Sequence, residues 1–374
     1  MEMQILRETN WKGFEKAIII GSVEVIKLVK DSGLKGRSGS GYPTGLKWEA
    51  VAGQKGKKYL VCNADEGEPG TFKDRFIIEN NPRALIEGMA IAAYAMEVHE
   101  AFIYLRGEYA YLKSGLEKEL KKSKKYLDKI DLKIRIVLGA GAYICGEESA
   151  ILESMEGNRP IVRKKPPYPA QAGLYGKPTC INNVETLANI PLILTGNWDK
   201  DLALFSISGD VKNPGVYELK LGTPLEKIIS ISKPSPTPKA IYFGASGGCL
   251  PYKQFKDLSV DDKSFSENGV MLGSRTLIIV GEGRSIAEIA RVFAEFFVHE
   301  SCGYCTPCRE GAFRILEILK RMRDGEAHKE DYILLSKLAP HIKDTSYCAL
   351  GKTSTMHLIG AMKYFEDDFM KLCK

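Results

Sequence analysis

Three cysteines crowd into one short loop of this chain, Ser301-Cys302-Gly303-Tyr304-Cys305-Thr306-Pro307-Cys308-Arg309, and a fourth, Cys348, follows in Tyr347-Cys348-Ala349-Leu350-Gly351. A C-x2-C-x2-C run projects three thiols from a single tight turn. With one distant partner, this is how ferredoxin-like sites distribute the ligands of a [4Fe-4S] cube. Structural zinc prefers two separated C-x2-C pairs, so the spacing favours a cluster over zinc, and either over inert cysteines. The loop follows one helical pattern and precedes another, while Cys348 begins a third. A cube held there would staple a helical bundle as well as carry electrons. Cys62, Cys145, Cys180, Cys249 and Cys373 have no comparable spacing and read as small packing residues.

Nine cysteines in 374 residues fit a reducing compartment better than a disulfide framework. The amino-terminal stretch carries acidic residues and no small-residue cleavage site, which points to the cytoplasm. No apolar run approaches the roughly 20 residues needed to cross a bilayer, so direct membrane insertion is not expected. A length of 374 residues with 44% hydrophobic and 27% charged content suits two or three folded domains. The net charge of +6 is mild. The lysine-rich stretch at 121–135 has no aromatic interleaving beyond Tyr126, so it reads as a solvated face rather than a nucleic-acid site.

Three regions follow from the pattern. In residues 1–200, short apolar runs at Tyr59–Cys62, Phe102–Leu105 and Ile134–Leu138 alternate with helical patterns such as Leu85–Met96. That alternation predicts a mainly parallel sheet with helices on its faces, and ligands in such α/β folds gather at the carboxyl ends of the strands. Residues 203–282 change to short β segments separated by turns, as a small second domain would. Residues 283–374 are strongly helical, opening on an expected capping box between Ser285 and Glu288.

A loop with four glycines, GRSGSGYPTGLKW at 36–48, opens directly into a helix, and glycines with a helix start suit phosphate. It misses the dinucleotide fingerprint, because Gly39-x-Gly41 is followed by a glycine at 45 instead of 44. Two imitations fall away. Gly351-Lys352-Thr353 lacks the earlier glycine of a P-loop, where Ser346 stands, and Gly281-x-Gly283 leads to a cap at Ser285. After the first strand, Asn63-Ala64-Asp65-Glu66-Gly67-Glu68 places three carboxylates in a loop. Gly139-Ala140-Gly141-Ala142-Tyr143-Ile144-Cys145-Gly146-Glu147-Glu148-Ser149 follows another strand. Carboxylates repel phosphate but accept hydrogen bonds from flavin-ring N–H groups and ribose hydroxyls, and two such loops at equivalent strand ends point to one polar ligand lying across both.

Together, GRSGSGYPTGLKW, NADEGEPGTFKDR, GAGAYICGEESAILESMEG, KPPYPAQAGLYGKPTCINNVETLANIP and ESCGYCTPCREG, with the late Cys348, closely resemble the NADH-binding flavoprotein subunit of respiratory complex I and its relatives in NAD-linked hydrogenases and formate dehydrogenases. The likeness covers nearly the whole chain. It implies an FMN- and NADH-binding α/β domain, then a ubiquitin-like β-grasp domain of the SLBB type, then a four-helix domain carrying the [4Fe-4S] cluster on Cys302, Cys305, Cys308 and Cys348. It places FMN on the glycine loop (Gly36, Arg37, Gly39, Gly41 and Gly45), on Asn63, Asp65 and Glu66, on Tyr143, Gly146 and Glu147, and on Asn182, Asn183 and Thr186. NADH would lie over the flavin near Glu68, in the catalytic position, and near Lys47 and Glu148, with Tyr42 and Tyr168 against the adenine. Ser38 and Ser40 stand where Gly and Ala are usual, Tyr42 and Tyr168 where Phe is, and Ala50 where an aromatic is often found. Partners implied are a thioredoxin-like [2Fe-2S] subunit and a larger iron–sulfur subunit. Hydride transfer from nicotinamide C4 to flavin N5 asks for positioning and water exclusion more than for acid–base groups.

Overall fold

The computed structural model describes residues 3–39 and 41–374, so Ser40 lies outside the described residues. The chain divides into two compact units. The first runs to Gly67 and resumes over Phe72–Leu202; the second takes Glu68–Thr71 and Ala203–Lys374.

In the first unit, β1 (Tyr59–Ala64), β2 (Glu100–Leu105), β3 (Lys133–Leu138) and β4 (Thr179–Asn183) form a parallel sheet in the order β3-β2-β1-β4. Three of these are the apolar runs of the sequence. The fourth is not legible as a strand, because Thr-Cys-Ile-Asn-Asn ends on two asparagines, a residue depleted in strands. From β1 the chain builds outward through β2 to β3 and then returns to β4 on the other side, so the order reverses between β1 and β4. A reversal of this kind opens a crevice at the carboxyl ends of the two strands.

The helices of this unit are α1 (Lys12–Ile20), α2 (Ser22–Asp31), α3 (Thr44–Ala52), α4 (Lys73–Asn80), α5 (Pro82–Met96), α6 (Lys113–Leu127), α7 (Ala150–Met155) and α8 (Val184–Thr195). Helix α5 begins where Asn81 accepts from the Ala84 N–H with Pro82 in the first turn, a favoured start. Its Gly88 lies so close to α8 that a Cβ would come within 1.9 Å of the Leu187 carbonyl oxygen. On the opposite face of the sheet, Tyr59 and Val61 pack with Tyr104, Ile151 and Leu174, as strand alternation requires.

In the second unit, β5 (Leu202–Gly209), β6 (Gly215–Lys220), β7 (Pro238–Tyr242), β8 (Cys249–Pro251) and β9 (Thr276–Gly281) lie in the order β6-β5-β9-β7-β8. Strands β5 and β9 are parallel neighbours and β7 is antiparallel to both β9 and β8. With α9 (Leu225–Ile231) crossing between the second and third strands, this is β-grasp topology. Its core is built on Phe205, Ile207, Ile228, Phe243, Phe265 and Leu277. Two short helices, α10 (Tyr252–Phe255) and α11 (Asp262–Glu267), fill the connection from β8 to β9.

The helical remainder is α12 (Ile286–Glu300), α13 (Thr306–Arg323), α14 (Lys329–Thr345), α15 (Ala349–Thr353), α16 (Met356–Tyr364) and α17 (Glu366–Met370). Only half of the expected capping box forms at its start. Ser285 Oγ accepts from the Glu288 N–H at 3.2 Å, but the Glu288 carboxylate turns to Arg291 instead of reaching back. A charged partner one turn along outcompetes a backbone N–H. The complete box belongs to α14, between His328 and Asp331. Among the described residues no helix is long and apolar enough to cross a membrane.

Candidate functional site

The two acidic loops meet. Asn63 Nδ2 donates to the Gly146 carbonyl at 2.8 Å, and a Cβ on Gly146 would lie 3.2 Å from the Asp65 carbonyl. A Cβ on Gly67 would strike Tyr143 and Arg106, so the missing side chain is what lets Tyr143 settle over the first loop. Asn63 Oδ1 also accepts from the Asp65 N–H at 3.1 Å, which bends the chain immediately after β1.

Across the switch point, Asn63 is the register partner of Asn183, and Cys62 of Asn182. The asparagines act here as scaffold. Asn182 Oδ1 accepts from the Trp48 indole at 2.8 Å. Asn183 caps α8 through the Glu185 N–H at 3.0 Å and donates to Asp74. Thr186 Oγ1 accepts from the Arg37 N–H at 3.0 Å and ties the glycine loop to α8.

Behind these residues lies a buried ionic network that sequence reasoning did not assign. Lys73 Nζ stands 2.7 Å from Asp74 and 3.0 Å from Glu185, with all three side chains almost wholly buried. Glu66 caps α4 by accepting from the Asp74 and Arg75 N–H groups at 2.9 and 3.1 Å. Burial, reinforced by neighbouring Asp74, pushes the Glu66 carboxyl up to about 7. Asp74 is also raised by burial, with Lys73 opposing. Lys73 and Asp74 stand in the motif NADEGEPGTFKDR, and their burial was the signal that sequence could not supply.

The glycine loop closes on itself through Gly36 N–H to the Tyr42 carbonyl (2.9 Å), with Gly39 and Gly41 at φ +106° and +61°. Gly45 has a packing reason, because a Cβ would come within 2.4 Å of Lys30 on α2. Tyr42 and Tyr168 are 52% and 55% exposed, open faces on which a base could stack. Ala50, also exposed, offers none.

Lys47 and Glu148 come together at 3.5 Å, and Lys165, which the sequence reading missed, joins them at 2.6 Å from Glu148 and 3.1 Å from Glu147. Burial works to raise the Glu148 carboxyl, but Lys47 and Lys165 outweigh it and hold the group below its ordinary value. Glu147 caps α7 through Ser149 and Ala150. Glu68, in the second unit, accepts from the Ser246 N–H at 2.8 Å and from its hydroxyl at 2.9 Å.

In the helical part, Cys302 and Cys305 occupy the turn between α12 and α13, with Gly303 at φ +74°; Cys308 lies in the first turn of α13 and Cys348 caps α15. Gly351 lets α15 approach, since a Cβ there would lie 3.3 Å from Cys308 Cβ. Burial pushes the Cys308 thiol up to about 11, with Cys305, Cys348 and Cys302 each adding to the rise. Burial likewise pushes the Cys348 thiol up. Among the described residues no three side chains form the ligand set of a single metal ion; a cube spreads its thiolates over separate irons. Three thiols on one turn and the helix start after it, with a fourth at the start of α15 beside Cys308, fit a cluster. Cys62, Cys145, Cys180 and Cys249 are buried and Cys373 is half-buried.

The first unit fits a flavin nucleotide. Thr44 Oγ1, at the start of α3, is buried without a hydrogen-bond partner among the described residues. Positive-φ glycines precede it and polar side chains line the facing strand ends.

Residues 29–192 match the Nuo51 FMN-binding domain family, 204–232 the SLBB domain, and 288–372 the NADH-ubiquinone oxidoreductase-F iron-sulfur binding region. The chain is 40% identical to an NADH-quinone oxidoreductase subunit of Aquifex aeolicus, covering 99% of this chain and 91% of that protein. It is 37% identical to the HndC subunit of the NADP-reducing hydrogenase of Solidesulfovibrio fructosivorans, covering 96% and 78%. A crystal structure of an NAD+-reducing [NiFe]-hydrogenase superposes with a TM-score of 0.91 at 34% identity over 97% of this chain. This chain spans 65% of that one's length.

Proposed function

The chain belongs to the family of FMN-binding NADH-quinone oxidoreductase subunits and their hydrogenase counterparts, and from that premise we propose how its residues serve an FMN-dependent NADH dehydrogenase. The observation that carries the reading is the meeting of the two acidic loops at the β1/β4 switch point, within the same unit as the glycine loop. FMN, when bound, supplies acceptance of hydride from NADH and release of electrons singly to the [4Fe-4S] cluster.

The residues' own work is binding and exclusion of water. Gly36, Arg37, Gly39 and Gly41, with the start of α3, would hold the phosphate. Gly45 keeps α3 close against α2 in support of that loop. Asn63, Asp65, Glu66, Tyr143, Gly146, Glu147, Asn182, Asn183 and Thr186 would shape the ring pocket, several of them through the loops they brace. Lys47, Glu148, Tyr42 and Tyr168 would receive the nucleotide, and Glu68 would stand at its reactive end. Cys302, Cys305, Cys308 and Cys348 hold the cluster. We assign the boundaries 1–200, 203–282 and 283–374 to the flavin, β-grasp and cluster domains.

A single-cluster chain needs an acceptor, so a thioredoxin-like [2Fe-2S] subunit and a larger iron–sulfur subunit are its proposed partners, on the cytoplasmic side of a membrane complex or in a cytoplasmic assembly. Rapid mixing of the anaerobic protein with NADH is expected to bleach the flavin band before the cluster signal appears. Cluster reduction over an oxidised flavin, or no bleaching, overturns the reading. Proteins that copurify with the chain separate a quinone-linked assembly from a hydrogenase.

A further inference from the structure

Between α7 and β4 the chain runs from Glu156 to Pro178 with a single turn of 3-10 helix, Leu174–Gly176. Connections beyond about 12–15 residues without their own secondary structure are uncommon in compact domains and usually functional. This one carries Lys165 on its outgoing limb, where it pairs with Glu147 and Glu148, and Tyr168 near its tip, yet neither residue ties the outgoing limb to the returning one.

Arg163 does. Its backbone N–H donates to Ser149 Oγ at 3.0 Å, at the start of α7. Its guanidinium then spans three acceptors: Nε to Glu153 on α7 (2.5 Å), Nη2 to Glu156 at the end of α7 (2.7 Å), and Nη1 to the Gly173 carbonyl on the returning limb (3.0 Å). Glu156 accepts in turn from the Tyr175 N–H at 2.7 Å. The returning limb is anchored to β4, because Thr179 N–H donates to the Pro169 carbonyl and Leu174 N–H to Thr179 Oγ1. One planar fork therefore binds both limbs to the helix whose first turn Glu147 caps. Arg163 is 25% exposed and its two carboxylate partners 22% and 17%, so the arrangement is not a loose surface pair. Only a guanidinium offers donors in the fixed geometry that three separated acceptors need.

We propose that Arg163 is the positioning residue of the nucleotide site, clamping the 156–178 segment so that Lys165 stays against Glu147 and Glu148 and Tyr168 stays open to the adenine. The inference rests on the reading that these residues face NADH.

The test uses the FMN- and cluster-loaded protein. Binding of ADP-ribose, a redox-inert fragment of the nucleotide, is measured by calorimetry, turnover of NADH with an artificial acceptor gives KM and kcat, and hydrogen exchange follows residues 158–178. Arg163→Ala is expected to weaken ADP-ribose binding about tenfold or more, to place its effect on KM rather than kcat, and to speed exchange in the segment. Arg163→Lys keeps the charge without the fork and should resemble the alanine variant. Should Arg163→Ala fold poorly, Glu156→Gln removes one arm of the clamp and should raise KM by a smaller factor. Unchanged affinity and exchange in these variants, a loss confined to kcat, or full rescue by lysine overturns the proposal. Failure of the unaltered protein to bind ADP-ribose or to show flavin bleaching by NADH would instead overturn the functional reading beneath it.

Discussion

Lys73 Nζ lies 3.0 Å from Glu185 Oε2, and each side chain is only 1% exposed. The lysine also holds Asp74 at 2.7 Å. Burial alone would pull its ammonium down, but Asp74, Glu185 and Glu66 outweigh that and raise it. The network stands directly behind Asn183 and Glu66, at the carboxyl ends of β4 and β1. Lys73→Met leaves buried carboxylates facing one another without their cation. Loss of one partner of a buried pair costs about 3–5 kcal/mol, and urea unfolding of the variant should show a fall of that order. A fall below about 1 kcal/mol would mean that water or rearrangement compensates the charges.

Glu66 gives the network a pH signature. Its folded carboxyl titrates near 7 against an ordinary value of 4.5, so between those pH values the folded protein holds a proton that the unfolded chain has released. The contribution to stability is therefore complete below about pH 4.5 and is lost as pH rises through 7. Urea midpoints should decline over this window, and Glu66→Gln should flatten the decline. Some slope should remain, because the buried Asp74 carboxyl is raised as well. A slope unchanged in the variant would assign the titration elsewhere.

Much of this was legible in the sequence because the site is built from long local motifs. The cysteine loop, the glycine loop and the two acidic loops each declare themselves within a dozen residues, and strand-end placement followed from apolar runs at β1 and β3. What stayed hidden is non-local. Glu68 is held by Ser246, 178 positions away, and Trp48 meets Asn182 across 134. No periodicity encodes such pairs. The asparagines at the ends of β1 and β4 also fix strands and caps through their amides, a use that sequence does not show. Gly45, grouped with the phosphate loop by spacing, is needed for the close approach of α2 and α3. The Ser285 cap was readable, but its return partner was not, because Arg291 competes for Glu288.

Cys348 should couple the cluster to the fold. It stands at the start of α15, and Gly351 on that helix packs closely against Ser346 and Cys308, where a Cβ would come within 2.7 and 3.3 Å. In Cys348→Ser the fourth thiolate is gone, so iron and acid-labile sulfide should fall well below the content of the unaltered protein. Because metal binding and folding are linked in such sites, far-UV circular dichroism should show helix loss and thermal unfolding should begin earlier. Full helicity in a cluster-free variant would show that packing alone holds α12–α16.

In the proposed nucleotide pose, Glu148 would set the charge that an adenosine ribose meets. Its carboxylate is held ionised between Lys165 at 2.6 Å and Lys47 at 3.5 Å, so a 2′-phosphate arriving there meets like charge while the two lysines are already neutralised. Glu148→Gln removes the repulsion and leaves Lys47 without its carboxylate partner, while Lys165 keeps Glu147 at 3.1 Å. The ratio of kcat/KM for NADPH to that for NADH should rise by about tenfold or more, equivalent to about 1.4 kcal/mol of discrimination. High salt should narrow the gain, since part of it comes from two partly exposed lysines. A ratio that does not move would place the ribose away from Glu148, and with it the nucleotide pose that Lys47, Lys165 and Tyr168 are taken to share.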